Sequence, residues 1–357
     1  MGKLTAIVLI ALSLTVNTYA QITSPRTPSP ASSVSQTIGI STVTVKYSCP
    51  SVRGREVWGA LVPYGWNVQA FGLGNSAPWR AGANENTVIS FSHPAKVEGK
   101  DVPAGSYGLF FVINKDNTGE VILSKEYRSW GSFFYEEKND FMRAKIQLKD
   151  IPATELLTYD FINLTKTSAD LVLLWEKKEF PVKVEFDVDN IVMTNAEQEL
   201  KSTTGFNWIG YASAANYALQ NKTNLDEALQ WADKAVTMNT SFNTLSVKGN
   251  ILKAQGKAEE GEKIFNDAVA LANENELNLY GYQLMNNKEE DKAIKMFILN
   301  TQRHPKSANV WDSLGEGYAL MGDKKNAITN FKKSLALSPN AATKANSEKY
   351  LKQLGAM

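Results

Sequence analysis

The sequence predicts two parts of different fold class, an all-β sandwich followed by an all-α solenoid of helical repeats. Residues 33–188 contain short runs in which apolar and polar residues alternate, with Gly, Pro and Asn between the runs. Residues 206–357 instead carry a pattern that recurs about every 34 residues. The length of 357 residues allows each part to bury a core of its own.

The N-terminus has the three regions of a signal peptide. Lys3 supplies the positive charge, residues 4–16 the apolar stretch, and Thr18 to Ala20 the cleavage site. A membrane anchor is the alternative, but the stretch is shorter than the roughly 20 residues that a spanning helix needs. We therefore expect cleavage after residue 20, export to the periplasm or the medium, and a Pro/Ser linker over residues 21–32.

The charge balance gives the chain no electrostatic reason to bind nucleic acid. Removal of residues 1–20 takes away Lys3 and leaves 37 basic and 37 acidic residues. The single cysteine, Cys49, cannot form an internal disulfide. No stretch after the signal is apolar enough to span a membrane, so we expect an exported protein without a transmembrane segment.

Seven strands are predicted in residues 33–188, with turn residues at 98–101 and 114–119 between some of them. No helical pattern interrupts these strands, which favours a β-sandwich, with a flattened barrel as the alternative. The predicted strands are Thr42–Tyr47, Thr87–Phe91, Tyr107–Ile113, Arg143–Leu148, Leu156–Asn163, Ala169–Trp175 and Val182–Val188.

Seven sequence blocks in this part resemble the exported bacterial family catalogued as domain of unknown function 2911. They are SQTIG (35–39), YSCPSVRGR (47–55), GALVPYG (59–65), WRAGANE (79–85), PAGSY (103–107), WGSF (130–133) and LLWE (173–176). The resemblance brings no activity, because the family has no established one. Trp66 to Pro78 look like an insertion, and Cys49 stands where the family pattern has an arginine. Some members resemble this chain in carrying helical repeats behind the sandwich.

A group of loop residues forms the candidate pocket of the β domain. Arg can hold a planar or anionic group bidentately and Trp can stack on it, while Glu85 alone would be the acid or base. The alternative is a structural Arg–Glu ion pair over a Trp. Residues 130–135 are expected to be a strand whose aromatic residues pack in the core, with a sugar-stacking platform as the alternative. The candidate residues are Arg53, Arg55, Tyr64, Trp79, Arg80, Asn84 and Glu85.

Residues 308–340 carry the signature of a tetratricopeptide unit, a helix–turn–helix whose copies stack side by side. Related units are predicted at 208–241, 242–273 and 274–307, with a connecting segment at 189–205 and a capping helix at 341–354. The signature residues are Trp311, Leu314, Gly315, Tyr318, Gly322, Ala327, Phe331 and Pro339. Small residues among them let helices approach, and the aromatic residues fill the space between units.

The resemblance to tetratricopeptide proteins implies a ligand on the concave face, which the first helix of each unit lines. Asparagine amides there can pair with both the N–H and the C=O of an extended peptide. The alternative is a solvated face on a docking or dimerisation block. The lining residues that the resemblance implies are Asn243, Ser246, Asn250, Lys253, Asn278, Tyr282, Asn309, Asp312 and Glu316.

No motif for catalysis, metal binding or a cofactor accompanies these features. His93 and His304 each precede a proline and lack the spacing of a ligand pair or a triad. We therefore predict an exported, non-enzymatic adaptor that binds a peptide or partner protein, with no cofactor and no metal. The alternative function is a β-sandwich that binds a small molecule or carbohydrate, or hydrolyses it, recruited to an assembly by the repeats. Homo-oligomerisation and a chaperone-like role are left open.

Overall fold

The computed structural model of the protein describes residues 28–357. The predicted signal peptide and residues 21–27 of the predicted linker lie outside the described residues. The chain divides into two compact units, one ending at Val188 and the other formed by Asp189–Met357. We call them the β unit and the repeat unit.

The β unit contains two large antiparallel sheets and a small hairpin. The six-stranded sheet has the order β1-β2-β5-β8-β9-β10, and the four-stranded sheet has the order β11-β12-β6-β7. The strands are β1 (Ala31–Ile38), β2 (Ser41–Ser48), β3 (Asn67–Val68), β4 (Ser76–Ala77), β5 (Val88–Phe91), β6 (Ala95–Val97), β7 (Lys100–Val102), β8 (Gly105–Ile113), β9 (Thr118–Ser124), β10 (Asp140–Gln147), β11 (Lys149–Ile162) and β12 (Ser168–Glu185).

The two sheets pack face to face, which confirms the predicted sandwich. In β2 the buried Val43 and Val45 alternate with half-buried threonines, as the period of two requires. Aromatic pairs join the sheets: the ring centroids of Tyr47 and Tyr159 are 4.7 Å apart, and those of Phe111 and Phe180 are 5.1 Å apart.

The structure corrects the sequence prediction at two strands of the six-stranded sheet, β1 at one edge and β9 beside the other edge strand. Strand β1 begins at Ala31, inside the predicted linker, and pairs along its whole length with β2. Because this strand is rich in serine, its sequence lacks the alternation of apolar and polar residues that would predict a strand. Backbone hydrogen bonds to β2 hold it in the sheet. Strand β9 was not predicted, because its consecutive buried residues Val121 to Leu123 hide the period of two.

Two further predictions about strands were wrong. The segments predicted at 169–175 and 182–188 belong largely to one strand, β12, whose charged middle continues the pairing with β11. Lys149 lies 2.9 Å from Glu179 in that pairing. The strand predicted over residues 130–135 is a 3₁₀ turn, Gly131–Phe134. It begins at a glycine with a φ of +59°, which a strand does not accommodate.

The repeat unit contains ten helices, of which α2 to α9 form four consecutive helix pairs and α10 follows them. The helices are α1 (Val188–Glu199), α2 (Trp208–Asn221), α3 (Leu225–Met238), α4 (Phe242–Ala254), α5 (Ala258–Leu271), α6 (Glu274–Asn286), α7 (Glu290–Arg303), α8 (Ala308–Leu320), α9 (Lys324–Ala336) and α10 (Ala341–Gln353). The connecting segment predicted at 189–205 contains most of α1, whose Met193 is buried in a cluster with Ala215 and Trp231.

Small residues bring the two helices of a repeat together, as the sequence predicts. A Cβ atom added at Gly281 would lie 2.5 Å from the ring of Phe297, and one at Gly315 would lie 2.9 Å from the ring of Phe331. Both phenylalanines are fully buried. None of the helices within residues 28–357 is long and apolar enough to cross a membrane.

Candidate functional site

The β unit contains a cavity of about 380 Å³ that brings together five of the seven predicted pocket residues. We call it the arginine cavity. Its wall comes from the loops around residues 50–65 and 76–84, from the 3₁₀ turn and from β12. The five residues are Arg53, Arg55, Trp79, Arg80 and Asn84. Leu61 and Asn67, which also line the cavity, are exposed residues.

Arg80 is the half-buried cation of this cavity. Its Nη1 donates to the carbonyl oxygen of Asn84 at 2.6 Å, and its Cζ lies 4.8 Å from the ring centroid of Phe133. Gly131 is so close that an added Cβ would lie 2.3 Å from the same Cζ. Burial lowers the pKa of the guanidinium, because the charged form loses hydration. Within residues 28–357, the hydrogen bond to Asn84 is the polar contact of the Arg80 side chain, and no ion pair accompanies it.

Arg53 and Arg55 lie on an exposed loop at the cavity rim. The backbone N–H of Arg53 donates to Oε1 of Glu155 at 2.9 Å. The guanidinium of Arg55 donates to the carbonyl oxygens of Ser51 and Val52. These bonds hold both the loop conformation and the position of the guanidinium. The backbone of this loop also pairs with β11 through the bridge between Ser51 and Leu156, so Arg53 and Arg55 extend from an anchored loop.

The cavity loops hold three residues in the left-handed backbone region. Arg53, Ala81 and Asn84 have φ values of +52°, +54° and +61°. Such conformations cost free energy for residues other than glycine and persist where the surroundings impose them. At Ala81, which is fully buried, Tyr159 Oη and Thr87 Oγ1 both donate to the carbonyl oxygen, at 2.9 and 3.0 Å. The strained loop is thus held in place by the sandwich.

An aromatic cluster supports the inner wall. Trp79 stacks on Trp175 with ring centroids 5.7 Å apart and 15° between the planes, and Trp58 contacts both rings edge-on. Trp175 and Ser132 line the cavity but were not assigned to it from the sequence. The indole N–H groups of Trp58 and Trp175 are buried and have no acceptor within residues 28–357. Trp58 and Trp175 come close to Trp79 only because strands distant in sequence pack together, so no short sequence pattern predicts the cluster.

The remaining two predicted residues, Tyr64 and Glu85, do not line the cavity. Tyr64 packs against Gly59, and Lys115 Nζ lies 5.9 Å from its ring centroid. Glu85 is half-buried. The side chain of Glu85 is therefore not placed to act as an acid or base inside the cavity.

The predicted insertion over Trp66–Pro78 forms the hairpin β3–β4 beside the cavity. Its Asn67 and Gln69 line the cavity, and its Phe71 contacts the ring of Phe133 with centroids 5.5 Å apart. Leu73 N–H donates to the carbonyl oxygen of Phe133 at 2.9 Å. The hairpin therefore adds amide side chains to the wall and packs on the turn that positions Arg80.

The second candidate site is a groove of about 370 Å³ across the first helices of three successive repeats, α2, α4 and α6. We call it the first-helix groove. Asn243, Ser246 and Asn250 line it as the sequence predicts, together with Asn216 and the apolar residues Ile209, Phe242, Val247 and Tyr280. Ile209 is 53% exposed. No charged side chain of the described part of the chain lines this groove.

Six of the nine predicted groove residues lie elsewhere. Lys253 pairs with Glu262 at 2.5 Å, and Asn278 and Asn309 are half-buried outside the lining. Tyr282 and Asp312 do not line the groove either. Tyr282 Oη donates to Glu316 Oε2 at 2.9 Å, and the buried Asp312 accepts from Asn346 Nδ2 at 2.8 Å and from Ser347 Oγ. These residues join α8 to its neighbours α6 and α10, because the capping helix occupies the place of a next repeat.

The fold thus comprises two units, an antiparallel β-sandwich and a helical-repeat unit. Residues 29–184 match the family model described as "Protein of unknown function (DUF2911)", and residues 308–341 match the tetratricopeptide repeat model. The resemblance predicted from the sequence blocks is confirmed, in the predicted order. No curated protein matches the chain.

Solved tetratricopeptide structures show a weak likeness to the chain. A structure described as "Functional Characterization of Pseudomonas Aeruginosa pilF" is 20% identical, covering 43% of this chain and 71% of its own, with a TM-score of 0.27. One described as "Crystal structure of YrrB: a TPR protein with an unusual peptide-binding site" is 18% identical over 45% and 84%, with a TM-score of 0.28. One described as "Crystal structure of MamA" is 19% identical over 44% and 91%, with a TM-score of 0.28.

Proposed function

We propose that the protein is an exported interaction protein that binds an extended, uncharged peptide segment of a partner through the first-helix groove. The observation that carries the proposal is the composition of that groove. Amide side chains lie beside an apolar floor, and no charge within the described residues lines it. Export rests on the signal-like N-terminus alone.

The groove chemistry favours a peptide over a small ion. Each asparagine amide offers two donors and one acceptor oxygen, which matches the alternating N–H and C=O groups of an extended backbone. The exposed Ile209 and the half-buried Tyr280 provide apolar contacts for the peptide side chains. Because no charge is involved, the affinity should change little between low and high salt.

Peptide display on the immobilised full chain tests the proposal. We expect enriched sequences with apolar residues two positions apart, which bind the chain in fluorescence anisotropy. The double variant Asn243→Ala/Asn250→Ala should weaken this binding about tenfold, the effect of losing one or two hydrogen bonds. Gln302→Ala, an exposed amide on the second helix α7, is the matched control and should bind like the wild type.

Two outcomes would overturn the groove assignment. One is enrichment of no peptide by a folded chain. The other is a peptide that binds the double variant as tightly as it binds the wild type, since the contact would then lie on another surface.

A further inference from the structure

The charge of the arginine cavity is unbalanced. Three of the six arginines between residues 28 and 357 line it, whereas no lysine and no carboxylate of that part of the chain does. Positive charge gathered in one concave surface attracts anions and raises their local concentration. Arginine in place of lysine suits recognition of a planar oxyanion, because the guanidinium presents a fork of donors.

The guanidinium of Arg80 is positioned but not satisfied. Within the described residues, its hydrogen bonds use one of five N–H groups, the one that donates to Asn84. Phe133 and Gly131 hold it in place without supplying an acceptor. Its other N–H groups are not among the fully buried atoms, so they are open to a ligand that carries acceptors. A bound oxyanion would supply the missing acceptors.

The geometry favours a carboxylate over a phosphate. One guanidinium lies at the base, which balances a single negative charge, whereas a phosphate monoester carries about −1.5 to −2 at neutral pH. The two rim arginines are exposed, and Arg55 already donates to the carbonyl oxygens of Ser51 and Val52. A monoanion is therefore paired by Arg80 alone, while the rim arginines attract it through their electric field.

The rest of the wall suits a ligand that carries hydroxyl groups. Ser51, Asn67 and Gln69 line the cavity and offer donors and acceptors, and the half-buried Trp79 offers an apolar surface. The volume of about 380 Å³ lies at the low end of the range for small-molecule sites. The ligand is thus small and polar.

We propose that the arginine cavity binds a hydroxylated carboxylate of monosaccharide size, such as a uronate. The carboxylate lies on Arg80, the ring hydroxyls face Ser51 and the amides of the β3–β4 hairpin, and the ring packs on Trp79. This binding is independent of the peptide function proposed for the repeat unit.

Isothermal titration of the full chain with glucuronate, glucose and inorganic phosphate tests the proposal. We expect glucuronate to bind at least about tenfold more tightly than glucose, which lacks the charge-assisted hydrogen bonds. Arg80→Lys keeps the charge but removes the fork, so it should weaken glucuronate about tenfold. Arg128→Lys replaces an exposed arginine outside the cavity and should leave binding unchanged.

A second variant can test the proposal if Arg80→Lys fails to fold. Arg53→Gln removes an exposed rim charge whose guanidinium makes no hydrogen bond within residues 28–357, and it should weaken glucuronate severalfold and reduce the salt dependence. The groove variant Asn243→Ala/Asn250→Ala should bind glucuronate normally, which separates the two proposals. Equal affinity for glucose, tighter binding of phosphate, no binding of glucuronate, or wild-type affinity in the folded arginine variants would each overturn the inference.

Discussion

At the scale of single residues, Gly131 determines where Arg80 can lie. Gly131 has a φ of +59°, and an added Cβ would come within 2.3 Å of Arg80 Cζ. The ring of Phe133 lies on the same guanidinium, 4.8 Å from Cζ. Because backbone and ring confine the cation together, only a glycine fits at this position.

We predict that Gly131→Ala displaces Arg80 and destabilises the β unit by about 1–3 kcal/mol beyond the cost of the left-handed backbone. Gly74→Ala is the matched control, because Gly74 has a φ of +67° and no atom within 4 Å of the added Cβ. Thermal unfolding of both variants measures the difference. Equal losses of stability would show that the contact with Arg80 does not matter.

Asp312 gives the repeat unit a dependence on pH. Burial raises the pKa of its carboxyl, although Ser347 and Asn346 donate to it. A carboxyl whose pKa is raised in the folded state favours folding most when it is protonated, so its contribution falls as pH rises through the raised pKa. Lower pH therefore relieves the cost of burying this charge.

We predict that the stability of the wild type relative to Asp312→Asn increases as the pH falls from neutral toward the ordinary aspartate value of about 3.9. Urea unfolding of both proteins across that range, followed by the helix signal in circular dichroism, measures the difference. Comparison with the variant cancels the other titrating groups. A difference that stays constant or shrinks with falling pH would contradict the prediction.

Site residues could be predicted from the sequence where they lie close together along the chain. Arg53, Arg80 and Asn84 lie on loops that are close in the chain, so their meeting in one cavity could be expected. Trp175 could not be assigned, because only the long strand β12 brings it to Trp79. Asp312 lies outside the first-helix groove and bonds to Ser347 of the predicted capping helix, a partner that the repeat pattern does not specify.

At the scale of elements, the repeats depend on close approach of paired helices. Alanine normally stabilises a helix by up to about 1 kcal/mol over glycine. At Gly281 an added Cβ would lie 2.5 Å from the buried ring of Phe297, and overpacking of a core costs about 1–3 kcal/mol. The clash should therefore outweigh the gain in helix propensity.

We predict that Gly281→Ala destabilises the repeat unit, and that Phe297→Leu added to it costs less than the sum of the two single changes. The smaller side chain gives the new methyl group room, so the two effects should couple. Urea unfolding of the wild type, both single variants and the double variant measures this coupling. Asn275→Ala, at an exposed position of the same helix, is the control. Additive costs would refute the close packing.

Helices were easier to predict than strands for a physical reason. Helices α6 and α7 are neighbours in sequence and pack against each other within one repeat. The same arrangement recurs in the other repeats, so its pattern of small and aromatic residues can be recognised in a short stretch of sequence. The pairing of β1 with β2 fixes a serine-rich strand through backbone hydrogen bonds, which leave little trace in composition. The hairpin β3–β4 is similar, since it packs on a turn about 60 residues away in sequence.

At the scale of the whole molecule, the chain combines two units with separate cores. In the last repeat, Phe331 is fully buried and clusters with Ala327 and Leu351. A repeat array is stabilised by contacts between neighbouring repeats. Loss of packing around Phe331 should therefore destabilise the helices next to α9 as well. A sandwich held by its own aromatic core should be less affected.

We predict that Phe331→Ala destabilises the C-terminal repeats by about 3–5 kcal/mol, the usual cost of removing a buried phenylalanine ring. Hydrogen exchange followed by mass spectrometry should show faster exchange in α8 to α10 and unchanged exchange in β2, β8 and β12, because the lost contacts belong to one core. Phe71→Ala, which truncates a ring that is 67% exposed, is the control and should change exchange only near the β3–β4 hairpin. Faster exchange throughout the β-sandwich in Phe331→Ala would mean that the two units unfold as one cooperative structure, and their sites could then not be treated as independent.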